Sequence, residues 1–75
     1  MPDPQPPLVA LGDALRQVRL DRRLSQEQLS LETGVHRNYI GGVERGERSP
    51  SVATLLRLAT ALRIELSELF RRAGL

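Results

Sequence analysis

Apolar residues recur at helical spacing near the start of the chain and again in its last third. Leu11, Leu15 and Val18 lie at i, i+4 and i+7, which predicts an amphipathic first helix from about Val9 to Arg23. A later stretch, VATLLRLATAL, is so broadly apolar that we expect a fourth helix there, central in the bundle, with a short fifth helix over about 66–73. The apolar positions of these two helices are Val52, Leu55, Leu56, Leu58, Ala59 and Leu62, followed by Leu66, Leu69, Phe70 and Ala73.

Between these segments, Gln26 to Arg45 holds two short helices around a glycine. Ser25 and Gln28 form an S-x-x-Q capping box that begins the second helix. Gly34 lies where the chain turns sharply, so we expect a positive φ there, with the third helix from about His36 to Glu44. The positions that two crossing helices need to be apolar or small are filled by Leu29, Ser30, Val35, Ile40 and Val43. This spacing is typical of a helix-turn-helix and predicts a sequence-specific DNA-binding protein, although a plain helical hairpin shares part of it.

The whole pattern predicts an all-α chain of five helices, because no stretch alternates strictly between apolar and polar residues. Residues 1–7 are rich in proline, and we expect them to form a flexible tail that cannot begin a regular helix. Residues 8–75 then form one small domain, whose thin core favours oligomerisation. The N-terminal segment lacks the basic and apolar regions of a secretory leader, and no later stretch is apolar enough to span a membrane. A cytoplasmic protein is therefore the default expectation.

The composition narrows the chemistry that is possible. The formal net charge is +2, and all 11 cationic side chains are arginine. The planar fork of arginine suits phosphates and guanine edges, but a GC-rich genome also favours arginine codons. With no cysteine and one histidine, the chain has no residues from which to assemble a disulfide framework, a metal site or a nucleophile–base pair. We therefore expect no enzyme activity and no cofactor.

Leu24 to Phe70 resembles the Xre-type helix-turn-helix family, which includes the Cro and lambda-repressor-like regulators. The resemblance is carried by the SQ that opens the second helix, the G-V turn, the R-x-Y-I of the third helix, the ERG after it and the S-P-S-x-x-T-L-L-x-L-A-x-A-L of the fourth. It implies a compact five-helix, lambda-repressor-like DNA-binding domain. The stretch HRNYIGGVERG is particularly similar to the controller proteins of restriction–modification systems, while small phage repressors and some antitoxins are also stand-alone domains of this kind.

In that family the first turn of the third helix enters the major groove of DNA. The residues at this place in the chain are His36, Arg37, Asn38 and Tyr39, with Gly41 and Gly42 one turn later. Arg37 is then expected to pair with guanine O6 and N7, and Asn38 with adenine or a phosphate, unless both belong only to a solvated helix face. Tyr39 would brace the backbone, touch a thymine methyl or simply support the helix. The glycine pair would either let the backbone approach the groove floor or leave the helix with fewer base contacts.

Phosphate contacts are implied on both sides of the third helix. The residues concerned are Gln26, Arg45, Arg48 and Ser49. Gln26 begins the second helix, whose positive end favours a phosphate, and the other three lie in the loop after the third helix. Loop arginines are often only solvated, but in the phosphate-binding interpretation Arg48→Ala should weaken binding to all DNA sequences alike. His36 stands where Ser, Thr or Asp commonly caps the helix, so we expect a poorer cap. Its ring would rest at the helix start or, alternatively, touch a phosphate.

Other residues have structural roles in the resemblance. It implies a partly buried salt bridge between Arg19 on the first helix and Glu44 at the end of the third. Arg63 stands where the fourth helix often ends in glycine, which causes strain if its φ is positive. The fifth helix offers more apolar surface than its own anchoring needs, and we expect a dimer interface there. Its residues are Leu66, Leu69, Phe70, Ala73 and Leu75.

Two classes of function remain open. The leading one is a dimeric transcription regulator on double-stranded DNA, at a pseudo-palindromic operator with half-sites about 34 Å apart. The alternative is an antitoxin or protein-interaction module that binds a partner protein and DNA only secondarily. RNA polymerase would be a further partner of the regulator, and a toxin the partner of the antitoxin; no membrane partner is expected.

Overall fold

Five α-helices and short turns make up residues 5–75, the part of the chain that this computed structural model describes. The helices are α1 (Pro6–Asp21), α2 (Gln26–Thr33), α3 (Arg37–Glu44), α4 (Val52–Ala61) and α5 (Leu66–Arg72). No strand occurs within the described residues, so the predicted five-helix all-α fold is confirmed. None of these helices is long and apolar enough to cross a bilayer.

The first helix begins earlier than the sequence pattern indicated. Pro6 and Pro7 occupy its first two positions, after Gln5 at the N-cap. The expectation that these prolines cannot begin a helix is wrong, because amides in the first turn have no partner inside the helix and the proline ring already holds a helical φ. The helix also ends at Asp21, since Arg23 has a φ of +59°. Residues 1–4 of the predicted tail lie outside the described residues.

The helices are arranged as a ring around one core. α1 packs on α3 and α5, α2 packs on α3 and α4, and α4 closes the ring on α5. The largest fully buried side chains are Leu15, Val18, Leu29, Ile40, Val43, Leu58, Leu62 and Leu69. The expected central position of α4 is wrong, because its principal neighbours are only α2 and α5. Val52 and Leu56, one turn apart on its outer face, are 64% and 49% exposed.

Local turn chemistry explains where the helices begin and end. The hydroxyl of Ser25 accepts the Gln28 amide N–H and the Gln28 side chain accepts the Ser25 N–H, so the predicted capping box is confirmed. Gly34 has the expected positive φ of +76°, which turns the chain from α2 into α3. Arg63 has a positive φ of +57°, the condition under which we expected strain at this position.

Candidate DNA interface

A buried ion pair joins the end of α3 to α1. The guanidinium of Arg19 donates from Nε to Glu44 Oε2 at 2.6 Å and from Nη2 to Oε1 at 2.9 Å. The two side chains are only 8% and 2% exposed. Arg19 also donates from Nη1 to the carbonyl of Leu24 at 2.7 Å, directly before α2. One arginine therefore holds together α1, the end of α3 and the turn that leads into α2.

The N-terminal residue of α2 belongs to the same network. The side-chain amide of Gln26 donates from Nε2 to Glu44 Oε1 at 3.0 Å. Gln26 remains partly exposed, at a helix end that carries unpaired backbone amides and the positive end of the helix dipole. The buried carboxylate thus fixes the orientation of the Gln26 side chain at the start of α2.

The first turn of α3 presents its polar side chains to solvent. His36 is the N-cap, and its Nδ1 accepts the backbone N–H of Asn38 at 3.0 Å, so its ring lies at the helix start and replaces the usual hydroxyl or carboxylate cap. Arg37 and Asn38 are exposed. The Arg37 guanidinium lies 3.6 Å from Glu27, but with both side chains at least 60% exposed this pair leaves Arg37 available for other partners.

The loop after α3 is connected back to the helix by Tyr39. This side chain is half-buried and packs against the core, and its hydroxyl lies 3.5 Å from the carbonyl of Ser49. Ser49, Arg45 and Arg48 are exposed around it. Arg45 pairs through Nε with Glu47 at 3.1 Å, at the surface. Tyr39 therefore contacts both the core and the loop after α3.

The glycine pair of α3 does not lie on an open surface. Gly41 and Gly42 are both buried. A Cβ added to Gly41 would lie 3.1 Å from Arg45 Nη1, and one added to Gly42 would lie 2.7 Å from Arg48 Cγ. The side chain of Arg48 covers Gly42 in the free protein, so direct contact between this glycine and DNA requires that side chain to move.

These contacts bring one group of predicted residues together and leave another apart. Gln26, the first turn of α3 and the loop 45–49 are connected by the Gln26–Glu44, Arg37–Glu27 and Tyr39–Ser49 contacts. We call this group of residues the α3 face. The sequence pattern did not reveal that arginines cover the glycines. The available sign was a Gly-Gly pair with Arg45 four residues after Gly41 and Arg48 six residues after Gly42.

The predicted dimer residues lie on α5, which packs on α1 and α4. Leu66, Phe70 and Ala73 are half-buried, and Leu75 is 58% exposed. Leu69 is fully buried in the core, which corrects its assignment to an interface between copies. Leu66, Phe70 and Ala73 recur at helical spacing, pack partly against the core and keep part of their apolar surface accessible.

Comparison with known proteins shows the family to which this chain belongs. The helix-turn-helix family model matches residues 15–69, so the chain belongs to the helix-turn-helix family, as the Xre-type resemblance indicated. The control protein C.SmaI of Serratia marcescens is 46% identical over 65 residues, which cover 87% of this chain and 77% of that protein.

Two solved structures are also similar. The restriction-modification controller protein C.AhdI from Aeromonas hydrophila has a TM-score of 0.80 and 52% identity, over 83% of this chain and 94% of that one. The controller protein C.Esp1396I, solved as a tetramer with its natural 35 base-pair operator, has a TM-score of 0.81 at 24% identity and covers 91% of this chain and 90% of its own, which shows the shared fold.

Proposed function

We propose that this protein is a sequence-specific DNA-binding transcription regulator of the controller type, acting as a homodimer on a pseudo-palindromic operator. The main observation in support is that Arg37 and Asn38, in the first turn of α3, are exposed. Gln26 at the start of α2 is held by its hydrogen bond to Glu44. The similarity to control proteins at 46% and 52% identity supports the controller type. A cytoplasmic location goes with this proposal, because operator DNA lies there.

The α3 face divides into residues that read bases and residues that position the protein. Arg37 and Asn38 have the donor and acceptor patterns that match guanine and adenine in the major groove. In this proposal Gln26, Arg45 and Ser49 contact phosphates, assisted by the N-terminal amides of α2. Such phosphate contacts fix the register of α3 but carry no sequence information.

Dimer formation is proposed through the α5 strip of Leu66, Phe70, Ala73 and Leu75. A two-fold axis at this strip repeats the α3 face, and two recognition helices about 34 Å apart would meet successive turns of one groove. The operator is then a pseudo-palindrome, and the binding free energies of its two half-sites roughly add. Nothing in the structure of residues 5–75 favours the antitoxin alternative.

The test begins with selection of bound fragments from duplex DNA with about 30 randomised base pairs, three helical turns. Arg37→Ala should lower affinity for the selected duplex by about 1–3 kcal/mol and flatten the preference at one base pair. Arg63→Gly removes the same charge at the turn between α4 and α5 and is the matched control, which should keep the preference. Equal losses on selected and random DNA for Arg37→Ala would show that this residue reads no base.

A further inference from the structure

We infer that His36 is a proton-sensitive positioning residue for the base-reading turn of α3; this inference rests on the proposed DNA-binding function. The ring nitrogen Nδ1 of His36 accepts the backbone N–H of Asn38 at 3.0 Å and so caps the helix. An imidazole nitrogen accepts a hydrogen bond only when it carries no proton. The cap therefore requires the neutral ring with its one proton on Nε2, and a ring protonated at both nitrogens cannot form it.

The side-chain caps of α2 and α4 have no such dependence on protonation. The hydroxyl of Ser25 accepts the Gln28 N–H at the start of α2. The hydroxyl of Ser51 accepts the Thr54 N–H at the start of α4. A serine hydroxyl does not titrate near neutral pH, whereas an imidazole ordinarily gains a proton at about pH 6.5. His36 is the single histidine of the chain, so mild acidification acts on the cap of α3 and spares those of α2 and α4.

The charged groups of the helices that pack on α3 are paired with one another rather than with His36. These helices are α1 and α2. On α1, Arg19 is bound to Glu44 at the opposite end of α3. On α2, Glu27 lies 3.6 Å from Arg37. No carboxylate of residues 5–75 forms an ion pair with the His36 ring, so no anion of this part of the chain holds the ring in its charged form.

Arg57 reaches the turn between α2 and α3 from α4. Its Nη2 donates to the carbonyl of Thr33 at 2.7 Å and would lie 3.1 Å from a Cβ on Gly34. Glu32 lines the groove between α2 and α4 together with Arg57. Protonation of His36 thus adds a positive charge after a turn where a guanidinium already binds a carbonyl at the end of α2.

Protonation of the ring should loosen the first turn of α3 in two ways. It removes the acceptor of the Asn38 N–H, and it places a positive charge at the positive end of the helix dipole. The helix has little propensity to resist this, because two of its eight residues, Gly41 and Gly42, are glycines. The same turn carries the exposed side chains of Arg37 and Asn38, so His36 acts on DNA recognition through them. Operator affinity should therefore fall as the pH falls through the imidazole range, because the ordered turn binds fewer protons than the loosened one.

Binding to the duplex selected by the wild-type protein, measured at about pH 7.5 and about pH 5.5 and at one salt concentration, tests this inference. Wild-type affinity should fall by about 2- to 30-fold for each half-site at the lower pH, which is the contribution of an N-cap expressed as an equilibrium constant. His36→Asn is the matched control, because its amide oxygen can cap a helix but does not titrate, so its affinity should be the same at both pH values. His36→Ala removes the acceptor and should bind at both pH values about as weakly as the wild type does at the lower one.

Nitrogen NMR of the free protein gives a readout that a merely structural role would not move. At the higher pH, the chemical shifts of the His36 ring should show Nδ1 without a proton and Nε2 with one. The backbone N–H signal of Asn38 should shift with the same midpoint as the ring when the pH is lowered, and it should not shift in His36→Asn. The backbone N–H of Gln28, which a serine hydroxyl caps, is the internal control and should stay unchanged over that range.

Three results would overturn the inference and leave the proposed function intact, as long as Arg37→Ala still flattens a base preference. Affinity that rises on acidification, with a salt slope steeper by about one, would show that the charged ring binds a phosphate instead. A wild-type affinity that does not change with pH, or that falls equally in His36→Asn, would show that protonation of His36 does not govern the turn. A neutral ring with its proton on Nδ1 would show that it does not accept the Asn38 N–H. A wild-type protein that prefers no sequence would overturn both proposals together.

Discussion

Removal of either partner of the Arg19–Glu44 pair should destabilise the fold severely. Each single alanine variant leaves one charge buried in a site where the wild-type side chains are 8% and 2% exposed. An uncompensated buried charge of this kind costs about 3–5 kcal/mol. A chain of 75 residues has a free energy of unfolding of about 4–11 kcal/mol, at roughly 0.05–0.15 kcal/mol per residue. Each single change therefore removes a large share of the total stability.

The double variant should be less destabilised than the sum of the two single variants, because it leaves neither charge unpaired. We expect a coupling energy of about 1–3 kcal/mol, in the range measured for residues in one network. Urea unfolding followed by far-UV circular dichroism measures this energy, with a constant osmolyte concentration that keeps the single variants folded before urea is added. Strict additivity would refute the argument that burial gives this pair its importance.

The chain offers a matched control in the pair between Arg71 and Glu68. Its Nη1–Oε2 distance of 2.6 Å equals the shortest distance in the buried pair, but its side chains are 74% and 38% exposed. Exposure should reduce its coupling energy to about 0.5 kcal/mol or less. Similar coupling energies for the two pairs would show that bond length, not burial, decides their strength.

Three further changes test other parts of the structure. Phe70→Asp should convert the protein to a monomer with sharply weaker operator binding, because it places a charge in the α5 strip. Sedimentation of the wild type should give a two-chain mass at micromolar concentration, and a wild-type monomer that binds a single half-site tightly would contradict the dimer. Arg63→Gly should raise the free energy of unfolding by up to about 1 kcal/mol, because glycine adopts the φ of +57° without steric strain; a loss of stability in thermal unfolding would contradict this. Glu65→Ser should raise the free energy of unfolding by about 1 kcal/mol, since the N-cap of α5 makes no side-chain cap bond and Glu68 would complete a capping box. An unchanged or lower unfolding midpoint would show that no cap forms.

The sequence predicted those features that depend on short-range chemistry. The cap at Ser25 and the turn at Gly34 each follow from a few neighbouring residues, so their positions agree with the structure. The hydrophobic pattern predicted burial wrongly where burial depends on contacts between helices that are far apart in sequence. Val52 and Leu56 fit an apolar helix equally well whether they face the core or solvent, and only the ring of helices decides that they face solvent.

In the candidate site too, the sequence predicted local features but not contacts made by a distant segment. Exposure of Arg37 and Asn38 follows from their place at the start of a helix whose other face carries Ile40 and Val43. The covering of Gly42 by Arg48 depends on the path of the loop and on the rotamers of a long side chain. Periodicity describes which face of a helix is apolar, but it says nothing of a side chain that returns from a following loop.

The ring of helices also has a kinetic consequence. Contacts such as α2 on α3 join neighbouring segments, whereas the contact of α1 on α5 joins opposite ends of the chain. The entropy lost on closing a loop grows with its length, so this last contact is the most costly to form. During synthesis, α1, α2 and α3 leave the ribosome first and can associate, but the ring stays open until α5 follows. Folding of this ring therefore reaches completion only after α5 has been synthesised.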